Sequence, residues 1–400
     1  MAKTTKTEGV APTGHSRFGA SSADRWIECP GSVTAQEAAP PDSTSIYAAE
    51  GTAGHEIAAF CLNNNQDAIE HAGKLVAVEG YPEEIEITED LVEGIQLYLD
   101  TVREDKKARG GKLLIERRFQ LASLDKEFFG TSDCAALGTD NVLRVYDLKL
   151  GKGKAVEVSA NRQLCYYALG VIETLPPHIQ AKIKEVELTI VQPRRAHKDG
   201  PVRRWRCKPT DLLDYCQDLK EAAADARSIS PSYKAGEHCG FCRAAATCKT
   251  LRAHAHEAAQ RAFEEDAISA PSGMSPGELA AVLNQADTIE RWISSVRAYA
   301  QHLANQGETI PGWKLVDKRA TRKWHDFVTE DTFIFDFGLD ETSIYDKKLK
   351  SPAQIEKILP KEDRPKLAKL YSKISSGTKL ARVDDVRQEV SASAQSDFAD

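Results

Sequence analysis

The sequence predicts an α/β fold followed by a smaller, mainly helical α+β module. Apolar, β-favouring runs alternate with helical periodicity up to residue 227, residues 267–277 have the composition of a linker, and a long helical period follows. A chain of 400 residues is also longer than one domain of usual size. The predicted strands are residues 112–121, 128–137, 142–150, 185–193 and 202–207, and the predicted helices are residues 47–63, 89–108, 159–174 and 210–227.

Residues 128–153 are the stretch around which the first part is organised. Two apolar runs flank residues 138–141, whose Gly, Thr, Asp and Asn are typical of a turn, so we expect a β-hairpin. Side chains alternate along a strand, which places Asp147 and Lys149 on one otherwise apolar face. The first strand of the hairpin brings a second carboxylate, Asp133, near Asp147.

Charged side chains on a half-buried strand need a physical reason, because burying a charge costs several kcal/mol unless it is paired or binds metal. In the functional interpretation, Asp133 and Asp147 hold a hard divalent cation through their oxygens. Lys149 then polarises a water or stabilises the charge developing on a phosphate. In the structural interpretation, Asp147 and Lys149 form an ion pair and Asp133 is a turn or edge residue.

The composition points to a cytoplasmic protein. No apolar run is long enough to span a bilayer, and residues 1–16 are polar and lack the apolar centre of a signal peptide. Residues 1–20 are predicted to form a flexible tail. Nine cysteines without an export signal indicate a reducing compartment, where clustered cysteines are typical of metal sites rather than disulfides.

The net charge of −7 gives no overall signature of nucleic-acid binding, but one stretch is basic. Its side chains either contact phosphates or form a solvated hairpin tip, and for each residue taken singly the second interpretation is favoured. The stretch contains Arg194, Arg195, His197, Lys198, Arg203, Arg204, Arg206 and Lys208.

The most specific local pattern is the C-x2-C-x5-C of Cys239, Cys242 and Cys248. Three thiolates at this spacing predict a metal or a cluster, and a closed site needs a fourth ligand. The candidates for that ligand are His238, His254 and Cys29.

Two further candidates carry little meaning when taken alone. His55 lies in the first turns of a predicted helix, where a single histidine is typically a packing or hydrogen-bonding residue. Glu116 lies on the strand before the hairpin and would be a third acid, although a solvent-facing glutamate is the favoured interpretation.

Taken together, these pieces follow one order along the chain. They are Gly51, Thr52 and His55; Gly130 and Asp133; Asp147 and Lys149; Gln163 and Tyr167; and Cys29 with Cys239, Cys242 and Cys248. This order resembles the RecB/AddB-type branch of the PD-(D/E)xK nucleases, including the iron–sulfur CRISPR-adaptation nucleases. The resemblance covers about residues 21–255. Residues 25–32 and 312–315 look like an uncharacterised phage-associated subgroup of this family.

The resemblance implies a restriction-endonuclease-like core, with a central mixed sheet flanked by helices and an Fe–S staple. The implied ligands of Mg²⁺ or Mn²⁺ are His55, Asp133, Asp147 and the Leu148 carbonyl. The implied ligands of a [4Fe–4S] cluster are Cys29, Cys239, Cys242 and Cys248. Lys149 would assist the nucleophilic water, while Gln163 and Tyr167 would contact the nucleic-acid backbone or support the site. The second acid departs from the family pattern, because Asp147 stands where many relatives have Glu.

The leading interpretation is therefore a metal-dependent DNA nuclease, with exonucleolytic cutting favoured, in phage or bacterial recombination, replication or repair. Its expected partners are DNA and a phage recombination or replication protein, with no membrane. One alternative is a non-cleaving Fe–S DNA-binding or scaffold protein, and another is a zinc protein without a nucleic-acid role. The expected organisation is a tail (1–20), the nuclease domain (21–262), a linker (263–277), a C-terminal module of unknown role (278–390) and a disordered tail (391–400).

Overall fold

The computed structural model describes residues 16–40, 45–263, 273–316 and 334–335. The predicted tail at 391–400, most of the predicted linker and most of the predicted C-terminal module lie outside these residues. None of the helices in the described ranges combines the length and the apolar composition that a membrane span needs.

Helices and strands alternate as the sequence predicts. The helices are α1 (Ala23–Glu28), α2 (Ser32–Glu37), α3 (Ile46–Asn64), α4 (Glu89–Arg109), α5 (Arg162–Thr174), α6 (Pro177–Gln180), α7 (Asp211–Ala226), α8 (Lys249–Phe263) and α9 (Pro276–Asn305). The strands are β1 (Leu75–Val76), β2 (Ile85–Glu86), β3 (Leu113–Gln120), β4 (Phe129–Leu137), β5 (Val142–Leu148), β6 (Glu185–Val191) and β7 (Val202–Cys207).

Polar side chains determine where the long helices begin. Ser45, Thr88, Asn161 and Ser275 each accept a hydrogen bond from a backbone amide in the first turn of α3, α4, α5 and α9, respectively. Such N-caps satisfy amides that have no partner within the helix. Helix α5 therefore begins after Asn161, slightly later than residue 159, where the sequence predicted its start.

The central sheet has five strands in the order β3-β4-β5-β6-β7. The predicted hairpin is confirmed: β4 and β5 are antiparallel, with Cys134 opposite Tyr146. Strands β5 and β6 are parallel and joined through α5 and α6, whereas β3 and β7 pair antiparallel at the two edges. The sheet is therefore mixed, which confirms the predicted α/β class.

Strand β5 is buried along its whole length because helices cover both faces of the sheet. Its side chains alternate between two apolar cores. Leu143 and Val145 belong to the core built with α1, α5 and α7, whereas Tyr146 and Leu148 belong to the core built with α3 and α4. The period of two thus sets which helices each residue of β5 meets.

The predicted flexible tail is too long at its C-terminal end. Phe18 is fully buried and stacks on Phe128 with ring centroids 5.1 Å apart, and it meets Trp26 edge-on at 5.3 Å. Three aromatic rings bury a large apolar area, which stabilises an ordered chain from at least Ser16 onward.

Most of the arginines in the basic stretch form ion pairs or hydrogen bonds within the protein. Neither of the two interpretations, a free phosphate-binding surface or a solvated hairpin tip, therefore describes most of this stretch. Arg204 pairs with Asp105 at 2.6 Å, and Arg206 pairs with Glu187 at 2.7 Å. Arg194 pairs with Glu50 and Asp90, so these guanidinium groups are already neutralised by carboxylates. Sequence proximity alone could not reveal these partners, because they lie on other elements.

Helix α9 packs against α8 rather than standing apart from the first part of the chain. Its Trp292 contacts a small apolar cluster around Cys239, Ala245 and Leu251. The first compact unit accordingly extends to Glu308, well beyond the predicted boundary at residue 262.

Candidate functional site

The middle of β4 and the end of β5 bring Asp133, Asp147 and Lys149 together, as the hairpin predicts. Asp133 Oδ2 accepts a hydrogen bond from the Leu148 amide at 2.9 Å. Lys149 Nζ donates to Asp147 Oδ1 at 3.0 Å and lies 2.9 Å from Asp147 Oδ2. The pairing of Cys134 with Tyr146, continued by one residue, places Asp133 across from Asp147.

Asp147 is the most deeply buried acid of the group, with 1% of the residue exposed. Burial raises the pKa of its carboxyl group and the charge of Asp133 adds to this effect, whereas Lys149 opposes it. Within the described residues, Asp147 Oδ2 accepts no hydrogen bond of normal geometry although it is buried. A buried carboxylate oxygen in this state is a fitting ligand for a cation.

His55 reaches the acids from α3, on the other side of the strand ends. Its Nδ1 lies 3.3 Å from Asp133 Oδ2. The preceding residue, Gly54, allows this approach, since a Cβ there would lie 2.0 Å from Leu150 Cδ1. The sequence pattern emphasised Gly51, but a Cβ at that position meets nothing within 4 Å.

Glu116 is exposed, as the favoured interpretation expected, yet it also belongs to the same group. His55, Glu116 and Asp133 each contribute one ligand atom, and these three atoms lie within 4.8 Å of one another. In the described part of the chain, this is the group of side chains that could hold a metal ion. Glu116 is exposed, yet desolvation of its carboxyl group, aided by the charge of Asp133, raises its pKa to about 7. The carboxyl groups of Glu116 and Asp133 thus lie close enough to repel each other when both are ionised.

The backbone of Glu116 is strained, with a φ of 44° in the middle of a strand. The β3–β4 ladder skips Glu116 and Asp133. Leu113 and Ile115 pack against the α3–α4 core, whereas Phe119 lies in the opposite core although all three have odd numbers. The left-handed residue therefore reverses the alternation of β3 and turns its carboxylate toward the site, which a strict period of two does not predict.

Gln163 and Tyr167 on α5 support Lys149. Lys149 Nζ donates to Gln163 Oε1 at 2.8 Å, and Gln163 Nε2 donates to the Tyr167 hydroxyl at 2.7 Å. Tyr167 is 7% exposed, and its burial, followed by the charges of Asp133 and Asp147, raises its pKa. Of the two predicted roles, these hydrogen bonds favour support of the site.

Leu148 occupies the position predicted for a carbonyl ligand, between Asp147 and Lys149. Its side chain is buried in the α3–α4 core and its amide is bound to Asp133. The following amide, that of Lys149, bonds to the Val191 carbonyl on β6 at 2.8 Å. The backbone at this position is thus held by both neighbouring strands.

The four cysteines predicted to act together line one small cavity. Cys29 follows α1, while the other three lie near the start of α8, and all nine cysteines of the chain are free thiols. Two of the sulfurs accept backbone hydrogen bonds at 3.5 Å, Cys29 from Lys234 and Cys248 from Leu251. Burial raises the pKa of Cys239 and Cys242.

The structure also separates the three candidates for a fourth ligand. Cys29 and His238 both line the cysteine cavity, although His238 Nε2 is within 2.9 Å of the Lys234 carbonyl. His254 lines a different cavity, near α9. Among the described residues no three cysteine sulfurs lie within 4.8 Å of one another.

Fold and site together define an α/β protein whose mixed sheet carries an acidic site with one lysine at the ends of two central strands. The chain belongs to the family described as DUF2800, proteins of unknown function, whose model matches residues 15–388.

Proposed function

We propose that this protein is a metal-dependent deoxyribonuclease of the PD-(D/E)xK type, with a [4Fe–4S] cluster in the cysteine cavity. One observation carries the proposal. His55, Glu116 and Asp133 come from different elements and bring one ligand atom each within 4.8 Å of one another, and Asp147, paired with Lys149, lies across from Asp133. A purely structural ion pair of Asp147 and Lys149 would need neither the histidine nor the third acid.

The charges of this group fit a hard divalent cation. Glu116 and Asp133 offer carboxylate oxygens and His55 offers one nitrogen, which are suitable ligands for Mg²⁺ or Mn²⁺. Asp147, outside that grouping, offers a further carboxylate across from Asp133. A bound divalent ion would lower the pKa of a coordinated water and neutralise charge on the scissile phosphate and leaving oxygen. Burial raises the pKa of both Glu116 and Asp147, with the charge of Asp133 adding to the effect, and a bound cation would oppose it.

The side chains around Lys149 prepare it to act on a phosphate. Its ammonium has three donors, and Asp147 and Gln163 fix its position at 3.0 and 2.8 Å. The second oxygen of Asp147 lies 2.9 Å away, and a phosphate oxygen or the attacking water would compete with it for the third donor. Because Gln163 is in turn held by Tyr167, the charge is positioned before substrate binds, which is the condition for electrostatic stabilisation of a transition state.

The cysteine cavity fits an iron–sulfur cluster better than zinc. Zinc at about 2.3 Å from each of four sulfurs requires sulfurs about 3.8 Å apart. No three of the described cysteine sulfurs lie within 4.8 Å of one another, a limit already wider than zinc requires, whereas a cluster has several metal atoms to span its ligands. Ligation would connect Cys29 to the start of α8, so the binding energy would contribute to the stability of the fold.

The proposal is tested by digestion of end-labelled single-stranded and double-stranded DNA with anaerobically purified full-length protein. We expect cutting with Mg²⁺ or Mn²⁺, none with excess chelator, and none by Asp147→Asn with Mg²⁺. A protein that keeps its cluster and cuts neither substrate would overturn the nuclease and leave the DNA-binding interpretation. Equal cutting by Asp147→Asn and wild type would place the chemistry elsewhere.

A further inference from the structure

We propose that a cleft beside the catalytic site binds the phosphodiester backbone of the nucleic-acid strand through Arg25, Arg118 and Arg243. The inference rests on the proposed nuclease function and deepens it, because it assigns a path to the substrate strand.

The cleft has a volume of about 540 Å³, and its lining includes Tyr167 and the residues Gly130 and Thr131 that precede Asp133 on β4. Its walls come from residues 16–25, from the start of β4, and from Tyr167 on α5. Tyr167 is hydrogen-bonded to Gln163, which holds Lys149, so a single chain of contacts connects the cleft to the catalytic ammonium. A strand lying in the cleft would therefore pass close to the carboxylates.

The charge of the cleft is positive and largely unpaired. Four arginines and one glutamate line it. Glu37 accepts a hydrogen bond from Arg17 at 2.7 Å, so the one lining carboxylate is already neutralised. For Arg25, Arg118 and Arg243, no ion pair with a carboxylate occurs within the described part of the chain. Three free guanidinium groups on separate elements match successive phosphates rather than a single small anion.

Arg25 lies between the cleft and the cysteine cavity, since it lines the first and its partner Ser32 lines the second. It is 9% exposed, and it donates to Ser32 Oγ at 2.7 Å rather than to a carboxylate. Burial lowers the pKa of Arg25, while Cys242 and Cys29 act in the opposite direction. The cysteine sulfurs thus supply negative charge on one side of the Arg25 guanidinium, and a phosphate in the cleft would supply it on the other.

Arg243 is fixed in a position to receive a phosphate. It donates to the carbonyl oxygens of Gln36 and Pro40, each at 3.1 Å, and to Gln36 Oε1 at 3.2 Å. A guanidinium has five N–H donors, so two remain free for phosphate oxygens. Arg118 is exposed on β3 at the opposite wall, where it is free to contact the strand.

The test measures binding separately from cutting. A fluorescently labelled single-stranded oligonucleotide is titrated with full-length, cluster-loaded protein carrying Asp147→Asn, with Mg²⁺ at several salt concentrations. We expect Arg118→Ala and Arg243→Ala each to weaken binding about tenfold, since a hydrogen bond to a charged group is lost. Each should also reduce the slope of log affinity against log salt by about 0.7. Arg118→Lys should retain most of the affinity.

The matched control is Arg117→Ala. Arg117 precedes Arg118 on β3, is also exposed, and does not line the cleft, so its loss should change affinity less than twofold. The proposed binding site would be wrong if Arg117→Ala and Arg118→Ala weakened DNA binding equally. It would also be wrong if neither Arg118→Ala nor Arg243→Ala weakened DNA binding.

Two further arms separate the alternatives. Inorganic phosphate and a nucleoside monophosphate are added as competitors, and oligonucleotides of increasing length are compared. Affinity that rises with length supports a strand, whereas full competition by millimolar phosphate with no effect of length would reduce the cleft to a site for free anions and overturn the proposal. If the wild type cuts no DNA but its binding depends on these arginines, the nuclease proposal fails and the cleft proposal stands. If the protein cuts DNA and neither cutting nor binding depends on these arginines, the cleft proposal fails and the nuclease proposal stands.

Discussion

The Lys149 ammonium contacts both carboxylate oxygens of Asp147, at 3.0 and 2.9 Å, although Asp147 is almost completely buried. Within the described part of the chain, Lys149 supplies the cation that forms an ion pair with the Asp147 carboxylate. The contact stabilises the buried carboxylate, and under the proposed function it also positions Lys149 for chemistry; mutation can separate the two contributions.

Replacing Lys149 by Ala should lower the cutting rate strongly and also destabilise the metal-free protein by about 3 kcal/mol. The loss of stability follows because a buried carboxylate is left without its partner. Chemical unfolding in chelator measures the second effect and single-turnover cutting measures the first. The control is Lys149→Ala combined with Asp147→Asn, which removes the uncompensated charge and should recover most of the stability. If the double variant is no more stable than Lys149→Ala, the pair is not energetically coupled.

His55→Ala should reduce cutting less than Asp147→Asn and should be rescued in part by replacing Mg²⁺ with Mn²⁺. Its Nδ1 lies beside Asp133, and Mn²⁺ binds the remaining ligand set more readily than Mg²⁺ does. Cutting rates with each metal check this expectation, with His178→Ala on α6 as an exposed control. A His55→Ala variant with wild-type rates in both metals would remove the histidine from the site.

Glu116→Gln should change how the stability of the metal-free protein depends on pH. The native state holds the proton of Glu116 up to about pH 7, whereas the unfolded chain releases it near the ordinary value of 4.5. The wild type is therefore expected to lose stability as pH rises through this window, and Glu116→Gln is not. Because Glu116 is exposed, solvent screening should keep the difference below about 1 kcal/mol.

Thermal unfolding of both proteins near pH 5 and near pH 8 measures this difference. Near pH 8 without metal, Glu116→Gln should unfold at the higher temperature. Addition of Mg²⁺ should make the wild type the more stable of the two, since an ionised Glu116 supplies a carboxylate ligand that glutamine lacks. The same pH dependence in wild type and variant would show that Glu116 does not titrate in this window.

Cys29→Ser should lose the cluster, whereas Cys61→Ser should keep it. Cys29 lines the cavity with the three later cysteines, while Cys61 is buried on α3 in a separate apolar core. Anaerobically purified wild type and Cys61→Ser should be brown, with broad absorbance near roughly 400 nm and matching iron and sulfide contents. A colourless, folded wild type containing one zinc would contradict this assignment.

Trp292→Ala should make the cluster easier to lose, because its ring packs against the residues around Cys239. Removing such a ring from a packed position costs about 3 kcal/mol. The rate at which chelator bleaches the cluster checks the effect. Trp313→Ala serves as a control because Trp313 is 77% exposed, and equal bleaching rates would show that α9 does not support the cysteine cavity.

The sequence alone determined the elements that rest on local patterns. The hairpin of β4 and β5 follows from two β-favouring runs around a turn, and its period of two places Asp147 and Lys149 on one face. It also singled out Cys29 together with the late cysteines, on a resemblance of motif order. These features depend on neighbours within a few residues or on spacing, both of which can be read along the chain.

Only the tertiary structure decided which distant groups meet. Glu116 joins the site because a left-handed residue reverses β3, and the arginines at 204 and 206 are neutralised by acids on other elements. The cleft of Arg25, Arg118 and Arg243 likewise unites residues more than two hundred positions apart. Such contacts arise when helices pack on a sheet to bury apolar surface, and this packing, rather than local preference, sets the charge and hydrogen-bond partners of each side chain.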